Sequence, residues 1–390
     1  MPTRSLVSRA WWSTVAIFLI HGLTVATWVS RIPAVQSKLR LNNGTLGLAL
    51  LGTAAGSVLA IPFTGWLVTR YGSRRITGWA AFGFCLSLVP LSLAVNAETL
   101  AAALFLFGAL AGMMDVAMNA QGVEVEKALG NPTMSRFHAM FSLGGMVGAG
   151  VGGFIAARGV APWLHFAGAA LLLFVFALIV APGMLNPITE GLEPPAHHVP
   201  FRNMPKVLLA LSAIAFCMLL SEGAMADWTA VYLKQVLSAG PGTAAAGYAV
   251  FSAAMAIFRL FGDLITARLG SVWTVRTGSL VAAAGLAGAL AATSARWALP
   301  GFAVTGAGFS VVVPLVFGAG GRVKNVSPGA GIATVTGLGY IGFLVGPPSI
   351  GFTSQLLTLR YALGIVVLLC LVSAILSGSV RSRAREEVAA

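Results

Sequence analysis

Charge is scarce in this chain. Only 9% of its 390 residues are Asp, Glu, Lys or Arg, against about 25% in an ordinary soluble domain, and that shortage excludes a conventional water-facing surface. Acidic residues are the rarer sign, 11 against 24 basic ones. The resulting +13 does not point to nucleic acid, because the Lys and Arg are scattered over short segments and form no stripe. Cysteine is down to Cys85, Cys217 and Cys370, all inside apolar runs without ligand-like spacing, so neither a disulfide framework nor a zinc site is expected. Also missing are a Walker-type phosphate loop, a His-Glu-x-x-His metal motif and a Gly-x-Ser-x-Gly nucleophile turn. Their absence argues against ATP-driven transport by this chain and against a membrane enzyme; no cofactor and no metal is expected.

Apolar residues, by contrast, make up 57% of the chain. A spanning helix needs about 20 of them in a row, and punctuated apolar segments fall at about 11–33, 44–69, 76–96, 99–121, 137–157, 162–182, 206–232, 243–267, 273–293, 297–318, 329–354 and 360–379. The expectation is an all-α integral membrane protein with twelve transmembrane helices, embedded in a lipid bilayer. The first run is about as long as a span and lacks a small-x-small cleavage site, so it reads as a retained helix and not as a signal peptide. Six prolines (Pro182, Pro187, Pro194, Pro195, Pro200, Pro205) with Glu190, Glu193, His197 and His198 mark a loop between the sixth and seventh helices. This divides the chain into a six-helix half at 1–181, a linker at 182–205, and a second six-helix half at 206–390 with a short basic tail.

Orientation follows from the basic residues. Arg70, Arg74, Arg75, Lys127, Arg136, Arg268, Arg276, Arg322 and Lys324 fall in loops on one side together with the basic ends of the chain, and fewer fall on the other. The positive-inside rule then places both termini in the cytoplasm, as for a bacterial inner-membrane protein. The halves also repeat at an offset of about 200 residues: Gly47-Leu48-Ala49 parallels Gly247-Tyr248-Ala249, and Gly22 and Trp28 parallel Gly223 and Trp228. The Gly145, Gly148, Gly152 spacing matches Gly339, Gly342, Gly346. Such parallel repeats belong to transporters whose site lies between the halves near the bilayer midplane. Small residues let helices approach closely, so the two glycine rows are expected to be rocking surfaces between the halves, with Pro347 and Pro348 bending the eleventh helix.

The stretch Gly65-Trp66-Leu67-Val68-Thr69-Arg70-Tyr71-Gly72-Ser73-Arg74-Arg75 resembles the loop signature Gly-x-x-x-Asp-Arg-x-Gly-x-Arg-Arg of the major facilitator superfamily, with Gly65, Arg70, Gly72, Arg74 and Arg75 on its key positions. Thr69 stands where the family carries Asp, so the charge contact of that Asp is not carried over. A degenerate copy, Arg268-Leu269-Gly270, follows the eighth helix. The stretch from Gly112 to Gln121, with Asp115 and Asn119, is similar to the Glu-x-x-x-Asn-Pro segment of fucose:proton symporters, with Asp for Glu and no proline. Together with Ser135-Arg136-Phe137-His138 and the segment from Glu222 to Trp228, the pattern resembles the MosC-like branch. The resemblance implies the major facilitator fold of two pseudo-symmetric six-helix halves and secondary active transport by alternating access. It also implies proton-coupled symport of a small polar solute such as a sugar or sugar derivative. Proton-antiport efflux of an organic compound and a non-transporting membrane sensor are the alternatives.

An ionised side chain at a helix centre costs about 2.5–3.5 kcal/mol on insertion scales, so it usually faces a cavity or a partner. That rule yields His21, Asp115, Asn119 and Glu222 as candidate substrate- or proton-binding residues. Asp115 and Asn119 share a helix face one turn apart, and either Asp115 or Glu222 is expected to carry the proton. Arg31, Asp227 and Trp228, near the outer ends of the first and seventh helices, are candidate gating residues, with Arg31 and Asp227 as a pair. Arg259 and Asp263, four residues apart, are expected to neutralise one another. Trp28, Trp228 and Tyr340 could stack on a sugar ring. The expected partners are a small-molecule substrate, protons and lipid, with the chain acting as a monomer.

Overall fold

The structure, a computed structural model, describes residues 3–131, 133–186 and 204–381. Twelve helices are long and apolar enough to cross a membrane: α1 (Arg4–Lys38), α2 (Asn43–Tyr71), α3 (Ser73–Leu93), α4 (Ala97–Leu129), α5 (Met134–Ala157), α6 (Pro162–Gly183), α7 (Lys206–Gln235), α8 (Pro241–Leu260), α9 (Ser271–Ala291), α10 (Ala295–Gly320), α11 (Pro328–Leu356) and α12 (Leu359–Val380). They form the two six-helix halves of a multi-pass membrane protein. Most of the expected linker, including Pro187, Glu190, Glu193, Pro194, Pro195, His197, His198 and Pro200, lies outside the described residues.

Local chemistry sets the helix ends. Asn42 caps α2 by accepting from the Thr45 N–H at 2.8 Å, and Asn96 with Thr99 forms a reciprocal capping box at the start of α4. Between α2 and α3 the chain turns at Gly72 with φ +85°, a conformation that a β-carbon would disfavour. α1 breaks at Ser30 and Arg31 and resumes with Pro33 in the first turn, where a missing N–H costs nothing. The helices outrun the apolar segments that announced them. α4 continues to Leu129, and a separate helix Gly262–Leu269 follows α8.

The halves meet where α2 lies along α11 and α5 along α8. On the face where α1 ends and α2 begins, the seam is tight: a β-carbon on Gly47 would sit 2.5 Å from the Pro347 carbonyl oxygen, and one on Gly351 would sit 2.6 Å from that of Asn43. Gly145 faces Tyr248 and Ser252, and Gly153 faces Gly242 and Ala245. The remaining glycines correct the expectation of two inter-half rows. Gly144, Gly148 and Gly152 touch α1, while Gly339, Gly342 and Gly346 touch α7, each inside its own half. Those positions let neighbouring backbones approach within a half, and of the fifth-helix row Gly145 and Gly153 face the other half.

Candidate functional site

Between the halves lies a cavity of about 860 Å³. Its inner end is walled by Trp28, Leu50 and Pro347, and it reaches Met134, Asp263 and Ile332 at the face where α1 begins and α12 ends. Across the opposite face the halves are latched. Gln235 donates to Gln36 Oε1 and to Asn43 Oδ1, both at 3.1 Å. Gln36 donates to Asn43 Oδ1 at 2.8 Å, and Gln355 donates to Asn42 Oδ1 at 2.5 Å. Lys234 donates to Ser37 Oγ at 2.7 Å and to the Pro33 carbonyl at 3.2 Å. The cavity is therefore shut off from this face and extends towards the other.

Four of the expected site residues, His21, Asp115, Asn119 and Glu222, line the cavity together. On α4, Asn119 Nδ2 donates to the Asp115 carbonyl at 2.8 Å and to its Oδ1 at 3.2 Å. Across the cavity, the Tyr340 hydroxyl of α11 donates to Asp115 Oδ2 at 3.2 Å. Each carboxylate oxygen of Asp115 thus meets a neutral donor, one of them from the other half. His21 is differently placed: its ring lies edge-on to Phe84 and tilted against Phe141, it is 6% exposed, and neither nitrogen has a partner among the described residues.

Glu222 has a cation. Its Oε1 lies 3.8 Å from Arg259 Nη2, with the two side chains 23% and 11% exposed. Arg259 also donates to Ser142 Oγ of α5 at 2.8 Å and to the Ser310 carbonyl of α10 at 3.3 Å. This corrects the expected Arg259–Asp263 pair. The helix ends at Leu260 and restarts at Gly262, which removes the regular i, i+4 spacing such a pair requires. Among the described residues, Arg259–Glu222 is the one Lys or Arg to carboxylate contact within 4.0 Å. Ser142 and the role of Tyr340 as an acid's donor were missed by the sequence reading; His138, which lines the cavity beside them, carried only a family signal.

The gating residues need correction. Arg31 is 3% exposed and donates to the Val160 carbonyl, so it makes no pair with Asp227 in this conformation. Asp227 lines the cavity, but Trp228 does not; it is fully buried within the half with its indole N–H unpaired. One residue further along an α-helix turns the side chain by about 100°. With Glu222, Gly223, Ala226 and Asp227 facing the cavity, Trp228 points off that face. Trp28 does line it.

The loop signature works on the open face. Arg74 donates to the Pro182 carbonyl at 2.8 Å and to Asn186 Oδ1 at 2.9 Å, capping the end of α6 with a cation. Gln121 holds the next residue through both backbone groups, donating to the Leu185 carbonyl at 2.8 Å and accepting from its N–H at 3.2 Å. Arg70 lies over Trp66 and Tyr71, while Arg75 is exposed. Gly65 has open space where a β-carbon would be, so no close approach demands glycine there. Thr69 bonds back to the Trp66 carbonyl at 2.8 Å, a local role that an aspartate's cross-bundle charge would not share.

A sequence model of the Major Facilitator Superfamily matches residues 13–327. The chain belongs to that superfamily. It is 39% identical over 360 residues to an MFS-type transporter of Yersinia pestis, covering 92% of each chain. To the membrane protein MosC of Rhizobium meliloti it is 31% identical over 351 residues, covering 90% of this chain and 85% of the other. Among solved structures, the fucose:proton symporter of E. coli superposes with a TM-score of 0.66 at 16% identity, over 96% of this chain and all of the other. The expected family, its MosC-like relatives and the major facilitator fold are all borne out, and the chain is a transporter of this type.

Proposed function

We propose that the protein is a proton-coupled symporter that moves a small polar solute, of the sugar or sugar-derivative kind, by alternating access. The observation that carries the reading is that both halves place carboxylates in the shared cavity, Asp115 from the first and Glu222, Asp227 and Asp263 from the second, and that Asp115 and Glu222 belong to contacts that lead across the seam. Asp115 is held by Tyr340, and Glu222 by Arg259, which also holds Ser142. A proton arriving at Asp115 weakens a bond between the halves directly, and one arriving at Glu222 loosens its hold on Arg259, the residue that reaches Ser142 across the seam; either is a way for binding to shift a two-state equilibrium. Titratable groups inside a membrane protein commonly mark proton relays. Basic residues such as Arg70, Arg74, Arg75 and Lys127 at the open face favour that face as cytoplasmic in a bacterial inner membrane, making this an inward-open state of a monomer.

The test is proton movement in proteoliposomes under an imposed gradient, with sugars and polyols screened as solutes. Proton influx that follows one solute, and that fails in Asp115→Asn or Glu222→Gln, is the expected result. Uptake in both variants that stays coupled to protons overturns the assignment. A second reading draws on the apolar walls, among them Val25, Leu50, Phe107, Leu219 and Phe343, which suit proton-antiport efflux of an organic compound. Proton release against solute entry identifies that direction.

A further inference from the structure

The cavity carries more negative than positive groups. Asp115, Glu222, Asp227 and Asp263 line it against the single guanidinium of Arg259, whose charge is already matched by Glu222. Asp263 sits at the mouth, beyond the end of α8. The two deeper acids left over are not equivalent. Asp115 accepts bonds from Asn119 and Tyr340, so neighbouring dipoles replace the water it gave up. Asp227, on the cavity wall of α7, accepts no hydrogen bond and forms no ion pair among the described residues. A carboxylate half-withdrawn from water with no protein donor is a favourable place for a proton or a cation.

A second, independent observation points to a ligand in the same space. His21 lines the cavity from α1, is 6% exposed, and has both ring nitrogens unpartnered. A buried polar group is expected to find a partner, and here the cavity is the direction left open. Trp28, which also lines the inner end, adds an aromatic face of the kind that attracts cations.

We infer that the transported solute carries a positive charge, an ammonium group received by Asp227, together with hydroxyl groups that reach His21. This rests on the transporter reading above and narrows its substrate class from neutral polar solutes to small hydroxylated amines. About 860 Å³ holds a molecule of that size with room for water.

The test needs no transport. The purified full-length protein is heated in the presence of matched amine and alcohol probes: glucosamine against glucose, and cyclohexylamine against cyclohexanol. The expected result is that the amine of a pair raises the melting midpoint at about tenfold lower concentration than its alcohol, a difference of about 1.4 kcal/mol. Asp227→Asn should erase that gap, and Asp263→Asn at the mouth should keep it. Indistinguishable amine and alcohol curves in the unaltered protein overturn the inference without any variant, as does an undiminished gap in Asp227→Asn. Amine-selective stabilisation with no proton-linked uptake leaves this inference standing and sinks the symport reading. Proton-linked uptake of a neutral sugar with no amine preference does the reverse.

Discussion

The two ends of the inter-half seam are built from different chemistry. At the closed face the links are amides and glycine-lined backbone contacts: Gln36, Asn42, Asn43, Gln235 and Gln355, with Lys234 bonded to a hydroxyl and a carbonyl. In the cavity the links run from Asp115 to Tyr340 and from Arg259, the partner of Glu222, to Ser142. Amides do not titrate. A change in protonation therefore leaves the amide links of the closed face as they were and acts on the cavity links. On the proposed reading, the closed-face latch sets how hard the transporter is to open, and the cavity links decide when.

The sharpest way to break this comparison is at Arg259, which serves both a charge and a neighbour across the seam. Arg259→Gln leaves Glu222 in the cavity without its cation; for a pair 11% and 23% exposed the cost stays below the about 3–5 kcal/mol of a fully buried one. The expected result is loss of transport and the largest drop in melting midpoint of any variant considered. The double variant Glu222→Gln with Arg259→Gln should recover much of the midpoint, because neither charge is then stranded, while transport stays lost. A double variant no more stable than Arg259→Gln would show that the pair is not what Arg259 is for.

Asp115→Asn probes the other link. The amide keeps one oxygen for Tyr340, and Asn119 still has the residue-115 main-chain carbonyl it already donates to, so the melting midpoint should move little, but the residue no longer binds a proton. Solute exchange should persist at a rate within a few-fold of the unaltered protein while uptake against a proton gradient disappears. That split is read by comparing counterflow with gradient-driven uptake in the same vesicles, and parallel loss of both would make Asp115 a structural residue.

Much of this was legible in the sequence, and the reasons differ by feature. Twelve helices could be located because runs of apolar residues bounded by Arg, Pro and Gly recur along the chain. Their ends could not, since α4 continues through Glu124 and Lys127 to Leu129, where backbone hydrogen bonding goes on after the apolar signal has stopped. Asp115 and Glu222 stood out because charge is expensive in a membrane. Their partners did not: Tyr340 lies in the other half of the chain from Asp115, and the Ser142 hydroxyl makes no mark in hydropathy. Trp228 misled because the repeat aligns it with Trp28, yet helix rotation turns one tryptophan into the cavity and the other into the half. Arg31 misled for the opposite reason, since its acceptor is a backbone carbonyl, Val160, which no side-chain pattern announces.

At the closed face, Gln235→Ala removes donation to Gln36 and Asn43 and acceptance from Asn43. At about 0.5–1.5 kcal/mol for a typical bond, less where water competes, the closed-face latch should weaken by a few-fold to tenfold in population. Spin labels on either side of that face would report the shift as a second, longer distance. The shift should have the same size at acidic and neutral pH, because the lost groups do not titrate. A strongly pH-dependent shift would mean that the closed face senses protonation after all.

The smallest effect should come from Tyr340→Phe, which deletes one hydroxyl and leaves the ring against Phe343. Asp115 retains Asn119 as a donor and faces a cavity that admits water, so the loss is about 1 kcal/mol, a few-fold in transport rate with proton coupling intact. The ratio of this effect to that of Arg259→Gln measures how unequal the two cavity links are. If Tyr340→Phe abolished coupling as Asp115→Asn does, the hydroxyl would be part of the proton's path and not only a strut between the halves. Uptake measured with and without a proton gradient separates those two roles, because a lost strut slows both modes alike and a broken path removes only one.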